Sequence, residues 1–550
     1  MKKLASSSTK VLLWVLLLAL VIRLLAVIFS QGFVHSDDHF DTISVAWDWL
    51  HGGLWGEDGN LRWKHQSAET IGRFPLYTLS LLAQMKICRW LGITSLAGMM
   101  YFIRLIHALI SLLPVWAAFR IVKLSTHSER WGIAAGAITA CHFAFPFLGV
   151  RNLIEVVGGS LWIAAVWFLY RYREDKKSGW LYLAGLLTGL AWMIRFQIAL
   201  AVIPVPFILW WETRRIMPAI KYSLSVGAML IVSGLTDWYL LGRFAGSTIT
   251  YLTMNLDLPA LYRTIPLLYI VLLVVFFVPP LSLISLGLML KPGFIRQHKL
   301  LFWSSVSFVV LQSLHANQQE RFIFPILPAF VVLGVLSIWH FKEERPAGSG
   351  WPAWFKWSAG VSGALNVALL VFFTFAYGHK GMIEPLKWFE RNDPTARVLF
   401  FQPEVWRWAP VEYAGNGIVR TYVKEWGEIA KLPVSQQGKT DFDYVVVYPK
   451  TDSSLQPGLD SLTVRLGPLE PVFEVSPSYY DQTLRLLNPR HNDNYEAHVF
   501  RLAAAMQASP ASSARCPPRA FLEGLAHADI RSPPGRHHAK QQAREQGHTQ

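Results

Sequence analysis

The chain has 550 residues, 53% of them hydrophobic and only 16% charged, with a mean hydropathy of +0.31. Soluble domains carry about 25% charged residues; that class is excluded, and apolar blocks long enough for a bilayer core of roughly 30 Å predict a polytopic α-helical membrane protein. The net charge of +15 fits the basic bias of cytoplasmic loops better than nucleic-acid binding, and the scattered Cys88, Cys141 and Cys516 offer neither a metal site nor a disulfide framework.

Lys2, Lys3 and Lys10 precede a first apolar helix over 11–30. Its run is long and lacks a clear small-x-small cleavage site, so it reads as a retained span and not a signal peptide. Further spans are predicted at 96–118, 132–150, 154–170, 180–194, 199–211, 222–235, 265–290, 300–314, 322–341 and 357–377, about eleven in all. A long outer loop, 31–95, separates the first two. Its apolar stretch 74–90 is interrupted by Gln84, Lys86 and Arg89. A span there would invert every later loop, so an interfacial helix is expected instead. The membrane module is thus 1–377. Residues 378–502 read as a small outward α/β domain, with strand-like runs at 398–401, 444–448 and 497–500. The tail 503–550, rich in Ala, Pro, Arg, His and Gln, is expected to be disordered.

Alternating these spans separates the charges. One set of loops receives Arg120, Lys123 and Arg130, then Arg171 to Lys177, Arg214, Arg215 and Lys221, Lys291 to Lys299, and Lys342 to Lys356. That set is cytoplasmic by the positive-inside rule. The opposite face collects Asp37 and Asp38, the Arg151-to-Glu155 turn, Arg195-Phe196-Gln197, Asp237-Trp238-Tyr239 and His315 through Arg321.

Asp37 and Asp38, in His35-Ser36-Asp37-Asp38-His39-Phe40, sit at the mouth of the first span. A carboxylate there can deprotonate an acceptor hydroxyl; a helix cap in a solvated loop is the plain alternative. Arg321 follows Asn317-Gln318-Gln319-Glu320 at the outer end of a span, where its fork suits a phosphate. Pro325 and Pro328 predict a bent helix beyond it. Arg195 lies where two short apolar segments meet. Arg23, Arg104 and His107 lie inside spans, where cations are functional candidates unless carboxylates in the bundle partner them. No P-loop, dinucleotide fingerprint, HExxH or His/Cys metal cluster is present, and no cytoplasmic segment is large enough to bind a nucleotide sugar, so an activated donor is expected at the outer face.

The ordered set resembles the membrane-embedded GT-C glycosyltransferases, and within them the Alg9-like and GPI-anchor mannosyltransferases, which use dolichyl-phosphate mannose. Their first-loop His-Pro-Asp-Glu-aromatic motif is similar to residues 35–40, and their His-Lys-Glu-x-Arg-Phe motif to residues 317–322. Their mid-chain pattern is echoed by Asp237, Gly242, Asn255, Pro266 and Tyr269. The resemblance covers roughly residues 11–341. It implies that Asp37 or Asp38 is the catalytic base, that Arg321 and Arg195 hold the donor phosphate, and that no nucleotide, metal or other cofactor is needed. Asp237, His315, Glu320, Gln319 and Arg151 are the remaining expected substrate contacts. Asp38 replaces the family's Glu, and Asn317-Gln318-Gln319 replaces its His-Lys-Glu. These departures suit a bacterial relative in the cell membrane, with its site and C-terminal domain on the periplasmic face. The expected activity is inverting transfer of a hexose, mannose by resemblance, from a polyprenyl phosphate to a lipid or glycan hydroxyl. A transporter or flippase is the second reading, disfavoured by the absence of symmetric repeats; a non-catalytic assembly factor is the third.

Overall fold

The computed structural model describes residues 2–502 except 58, 64–71, 258–264, 266, 316–317, 403–408, 433–440, 450–451, 490–491 and 493–495. Pro266, Asn317 and the predicted tail 503–550 lie outside the described residues. The chain divides into two compact units. The first is Met1–Ala396 with Trp406–Ile418 and Val475–Tyr480; the second is Arg397–Val405, Val419–Glu474 and Asp481–Gln550.

The first unit is helical. After α1 (Lys2–Phe29), the long loop folds into α2 (Ser36–Asp38), a π-turn over His39–Ile43, α3 (Ser44–Gly52) and α4 (Leu76–Trp90). Helices α5 (Leu96–Ile110) and α6 (Leu112–Thr126) follow, then α7 (Glu129–Cys141), α8 (Ala144–Gly149), α9 (Ile154–Asp175) and α10 (Ser178–Ile194). The chain continues through α11 (Ala199–Val202), α12 (Pro204–Thr213), α13 (Met217–Leu241), α14 (Gly246–Asp257), α15 (Leu268–Phe276), α16 (Leu281–Met289), α17 (Pro292–Gln297) and α18 (Lys299–Ser313). A 3-10 turn over Glu320–Ile326 leads into α19 (Leu327–Glu343), which is followed by α20 (Ala353–Thr374).

Among the described residues, seven helical stretches are long and apolar enough to span a membrane: 9–29, 96–126, 154–175, 196–213, 217–241, 320–343 and 353–374. The remaining predicted spans are shorter or broken. Helices α10 and α18 are short apolar helices. The span predicted at 132–150 divides into α7 and α8, because His142 takes an extended conformation. The one at 265–290 divides into α15 and α16 around Pro279-Pro280, whose nitrogens cannot donate to a helix. Pro325 and Pro328 do not bend one helix: Pro325 lies in the 3-10 turn and Pro328 in the first turn of α19. A proline costs no hydrogen bond in a first turn, so the bend falls at the junction.

The buried intramembrane arginines find carbonyls, not carboxylates. Arg23 is fully buried and donates to Ser111 Oγ at 2.7 Å and to the carbonyls of Ala19, Ala140 and Ser111 at 3.2–3.4 Å. Arg104 donates to the Val27 and Ser30 carbonyls at 3.1 and 3.2 Å. The last carbonyls of a helix have no partner within it and carry its negative dipole end, so Arg104 caps the C-terminus of α1. The chain then forms β1 (Gln31–Gly32), which pairs in parallel with β2 (Tyr377–Gly378). Gly32 has φ of +73°, and a Cβ on it would lie 1.8 Å from the Gly378 oxygen, so only glycine admits this junction.

The second unit holds a five-stranded sheet of order β4-β3-β5-β7-β6. Strands β3 (Arg397–Phe401), β4 (Val419–Val423) and β5 (Tyr444–Val447) run parallel, and β7 (Ala497–Leu502) is antiparallel to β5. β6 spans Leu469–Val475. Leu399, Phe401, Val445 and Val447 alternate onto one face and pack with Val423, Leu462 and Phe500. The three strand-like runs of the sequence correspond to β3, β5 and β7.

Candidate active site

Four separated segments of the first unit meet around Arg321, one of them its own. Asp37 and Asp38 come from α2, Glu155 from the first turn of α9, Arg195 from the end of α10, and Gln319 with Arg321 from the entry to the 3-10 turn. Arg321 Nη2 donates to Asp37 Oδ2 at 2.7 Å, and Nη1 to Asp38 Oδ1 at 3.4 Å. Its Nε donates to Gln319 Oε1 at 2.8 Å and stands 4.0 Å from Glu155 Oε1. Arg195 Nη2 reaches the same Glu155 oxygen at 3.0 Å. The Phe322 ring lies against both guanidiniums, 5.0 Å from Arg195 and 5.5 Å from Arg321. One fork thus engages both adjacent carboxylates, and Glu155 links the two arginines.

This convergence depends on Gly158 and Gly159, one turn after Glu155. A Cβ on Gly159 would meet the Pro325 backbone at 2.6 Å; one on Gly158 would lie 3.1 Å from Arg195 Cβ. The missing side chains let the Arg321 segment and the Arg195 segment lie directly on α9. Gly159→Ala is therefore expected to destabilise the protein by about 1–3 kcal/mol through overpacking and to lower activity by displacing Arg321. Thermal unfolding in detergent checks this; an unchanged midpoint would contradict it.

The environments of the acidic pair differ. Asp37 is half exposed, and Arg73 stands 3.8 Å away on its other side. Burial opposes its ionisation, but the charges of Arg321 and Arg73 outweigh that and hold its pKa down at about 2. Asp38 is buried, and its Oδ2 has no hydrogen-bond partner among the described residues. Burial raises its pKa to about 7; Arg321 opposes this, while Glu155 and Asp37 reinforce it. Opposite shifts within one acidic pair separate an ionised carboxylate from one poised to exchange a proton near neutrality. His35, 3.9 Å from Glu320, is pushed down to about 4, chiefly by burial and then by Arg321.

The other expected contacts lie elsewhere in the structure. Glu320 is exposed and, among the described residues, forms an ion pair with that histidine alone. The Arg151 guanidinium donates to the Gln31 and Gly32 carbonyls at 2.7 and 2.8 Å and to Ser30 Oγ at 2.8 Å, fastening β1. Asp237 Oδ2 accepts from the Ser247 amide and hydroxyl at 2.9 and 2.7 Å, at the start of α14. No ion pair joins it to the cluster among the described residues. His315 stands in the turn after α18, its amide donating to Gln312. Two participants were not singled out from the sequence. Arg73 pairs with Asp41 at 3.1 Å as well as with Asp37. Asn152 donates to the Asp38 carbonyl at 2.5 Å. Arg73 lies in a loop with no periodicity to mark it, just before Phe74-Pro75.

The fold and the sequence have known counterparts. The apo structure of ArnT from Cupriavidus metallidurans superposes with a TM-score of 0.58 at 12% identity, covering 92% of this chain and 100% of that one. The structure of the same enzyme bound to undecaprenyl phosphate gives 0.54 at 13% identity, covering 90% and 98%. At such identity the likeness is one of fold, the GT-C architecture of an integral multi-pass membrane protein. No curated protein sequence matches the chain. The profile of the Alg9-like mannosyltransferase family matches residues 14–403, which include every member of the Arg321 cluster. The chain therefore belongs to the Alg9-like mannosyltransferase family and is a glycosyltransferase of the GT-C fold.

Proposed function

We propose that this protein transfers a hexose, mannose in the first instance, from a polyprenyl phosphate to a hydroxyl of a lipid or glycan acceptor on the outer face, with inversion. The observation that carries this reading is the Arg321 fork on Asp37 and Asp38, 2.7 and 3.4 Å away, with Arg195 joined to it through Glu155. The undecaprenyl phosphate bound by ArnT supports a polyprenyl-linked donor. Arg321, Arg195 and Arg73 are the cations for its phosphate. Carboxylates of the chain engage all three, and a bound phosphate competes for the same forks.

Asp38 is the base. It takes the proton of the acceptor hydroxyl as that oxygen attacks the anomeric carbon; the bond to the phosphate oxygen breaks, and the arginines stabilise the charge left on it. Asp37, ionised and clamped between Arg321 and Arg73, orients the fork. The test is transfer from a radiolabelled polyprenyl-phosphate sugar into reconstituted vesicles. Because Asp38 must be deprotonated, kcat/KM is expected to rise with pH around 7, and Asp37, held near 2, adds no second limb. A rate flat between pH 5 and 9 would remove Asp38 from this role.

A further inference from the structure

His107, buried in a predicted span, and Tyr77, buried on α4, take no part in the chemistry above. They end a hydrogen-bonded line that leads to Asp38. His107 Nδ1 lies 2.7 Å from the Ile103 carbonyl, one turn back on α5. A carbonyl only accepts, so this nitrogen carries the hydrogen and the Nε2 of a neutral ring is an acceptor. The Tyr77 hydroxyl lies 2.8 Å from that Nε2 and also donates to Asn152 Oδ1. Asn152 Nδ2 in turn donates to the Asp38 carbonyl at 2.5 Å and to Thr42 Oγ1 at 2.7 Å, and Thr42 Oγ1 bonds the same Asp38 carbonyl.

The donor count fixes the direction of this line. Both hydrogens of the Asn152 amide face the first loop, so its oxygen must face Tyr77. Tyr77 has one hydrogen and two acceptors, His107 and Asn152. It therefore decides how firmly the amide is held, and His107 competes with Asn152 for the same hydrogen. The line joins α4 and α5 to the loop before α9, and so fixes the backbone of α2 against three other segments. Among the described residues, Asn152 holds the Asp38 carbonyl from outside the first loop.

We propose that Tyr77, His107 and Asn152 are positioning residues that set the Asp38 carboxyl against the acceptor through its own backbone. This rests on the reading of Asp38 as base. A displacement of about 1 Å at a reacting group costs roughly 100-fold in rate. Asn152→Ala is therefore expected to lower kcat by about 100-fold and Tyr77→Phe by about tenfold, with the KM for donor unchanged. His107→Leu leaves the Tyr77 hydrogen to Asn152 alone and is expected to lose less than Tyr77→Phe. The double variant Tyr77→Phe/Asn152→Ala is expected to be no slower than Asn152→Ala. Loss of packing alone would instead give additive losses, with KM and protein yield changing together.

A second measurement separates this proposal from the assignment of the base. Hydrogen exchange of the peptide over residues 36–43, followed by mass spectrometry in detergent, is expected to be faster in Tyr77→Phe and Asn152→Ala than in wild type. Faster exchange without any transfer activity in the wild type would overturn the base assignment and keep the line as the device that holds this loop. Wild-type kcat together with wild-type exchange in Tyr77→Phe would overturn the positioning role.

Discussion

Replacing Asp38 by Asn is expected to lower kcat by about three orders of magnitude, within the 10²–10⁴-fold range of a positioned general base. The amide keeps the shape and loses the proton acceptor. Its binding of donor is expected to persist, because Arg321 retains Asp37 at 2.7 Å and Gln319 at 2.8 Å. Asp37→Asn is expected to act differently. It loosens the clamp between Arg321 and Arg73 and so raises the KM for donor more than it lowers kcat. Transfer kinetics in vesicles distinguish the two. If Asp37→Asn abolishes turnover while Asp38→Asn retains it, the roles within the pair are exchanged.

Arg321→Ala is the second large effect, and it has two parts. Removing the guanidinium leaves Asp38 and Glu155 buried without it, and breaking buried pairs by deleting one partner costs about 3–5 kcal/mol. Both carboxylates are nearly inaccessible, at 3% and 0% exposure, so water cannot take over the lost interaction. The melting midpoint in detergent should therefore fall. Transfer should fall as well, by about 10²–10³-fold, since one charged donor to a leaving phosphate is lost. Arg321→Lys separates the parts. A lysine restores the charge without the planar fork that engages two carboxylates, so stability is expected to recover further than activity. Equal recovery of both would mean that the fork geometry has no role in transfer.

Much of this site is readable along the chain because it depends on local order. The acidic pair stands directly after the first span, and Arg321 follows a polar run ahead of an apolar one. Charge asymmetry between loops places both at the same end, and they meet in the folded chain. What the order of residues does not reveal is how each charge is occupied. Arg151 lies in the turn that also carries Asn152 and Glu155, yet its guanidinium is taken up by the Gln31 and Gly32 carbonyls. Asp237 likewise serves Ser247 at the start of α14, a helix with no signal strong enough to be predicted. Arg23 and Arg104, for which carboxylate partners were an open alternative, bind carbonyls at helix ends.

Composition and hydrophobic block length by themselves determine the class, since a chain so poor in charge has to bury its apolar runs in lipid. They do not determine the number of continuous helices: the apolar blocks 132–150 and 265–290 each divide into two helices in the fold. The tertiary structure alone decides which arginine meets which carboxylate. Contacts such as Arg321 to Asp38 join residues 283 positions apart, and the close approach of the Arg321 and Arg195 segments to α9 uses the missing side chains of Gly159 and Gly158. The same burial separates Asp37 from Asp38. Side by side in the chain they are equivalent acids; in the fold one faces water and two arginines, while the other is enclosed and kept near neutrality by the loss of solvent.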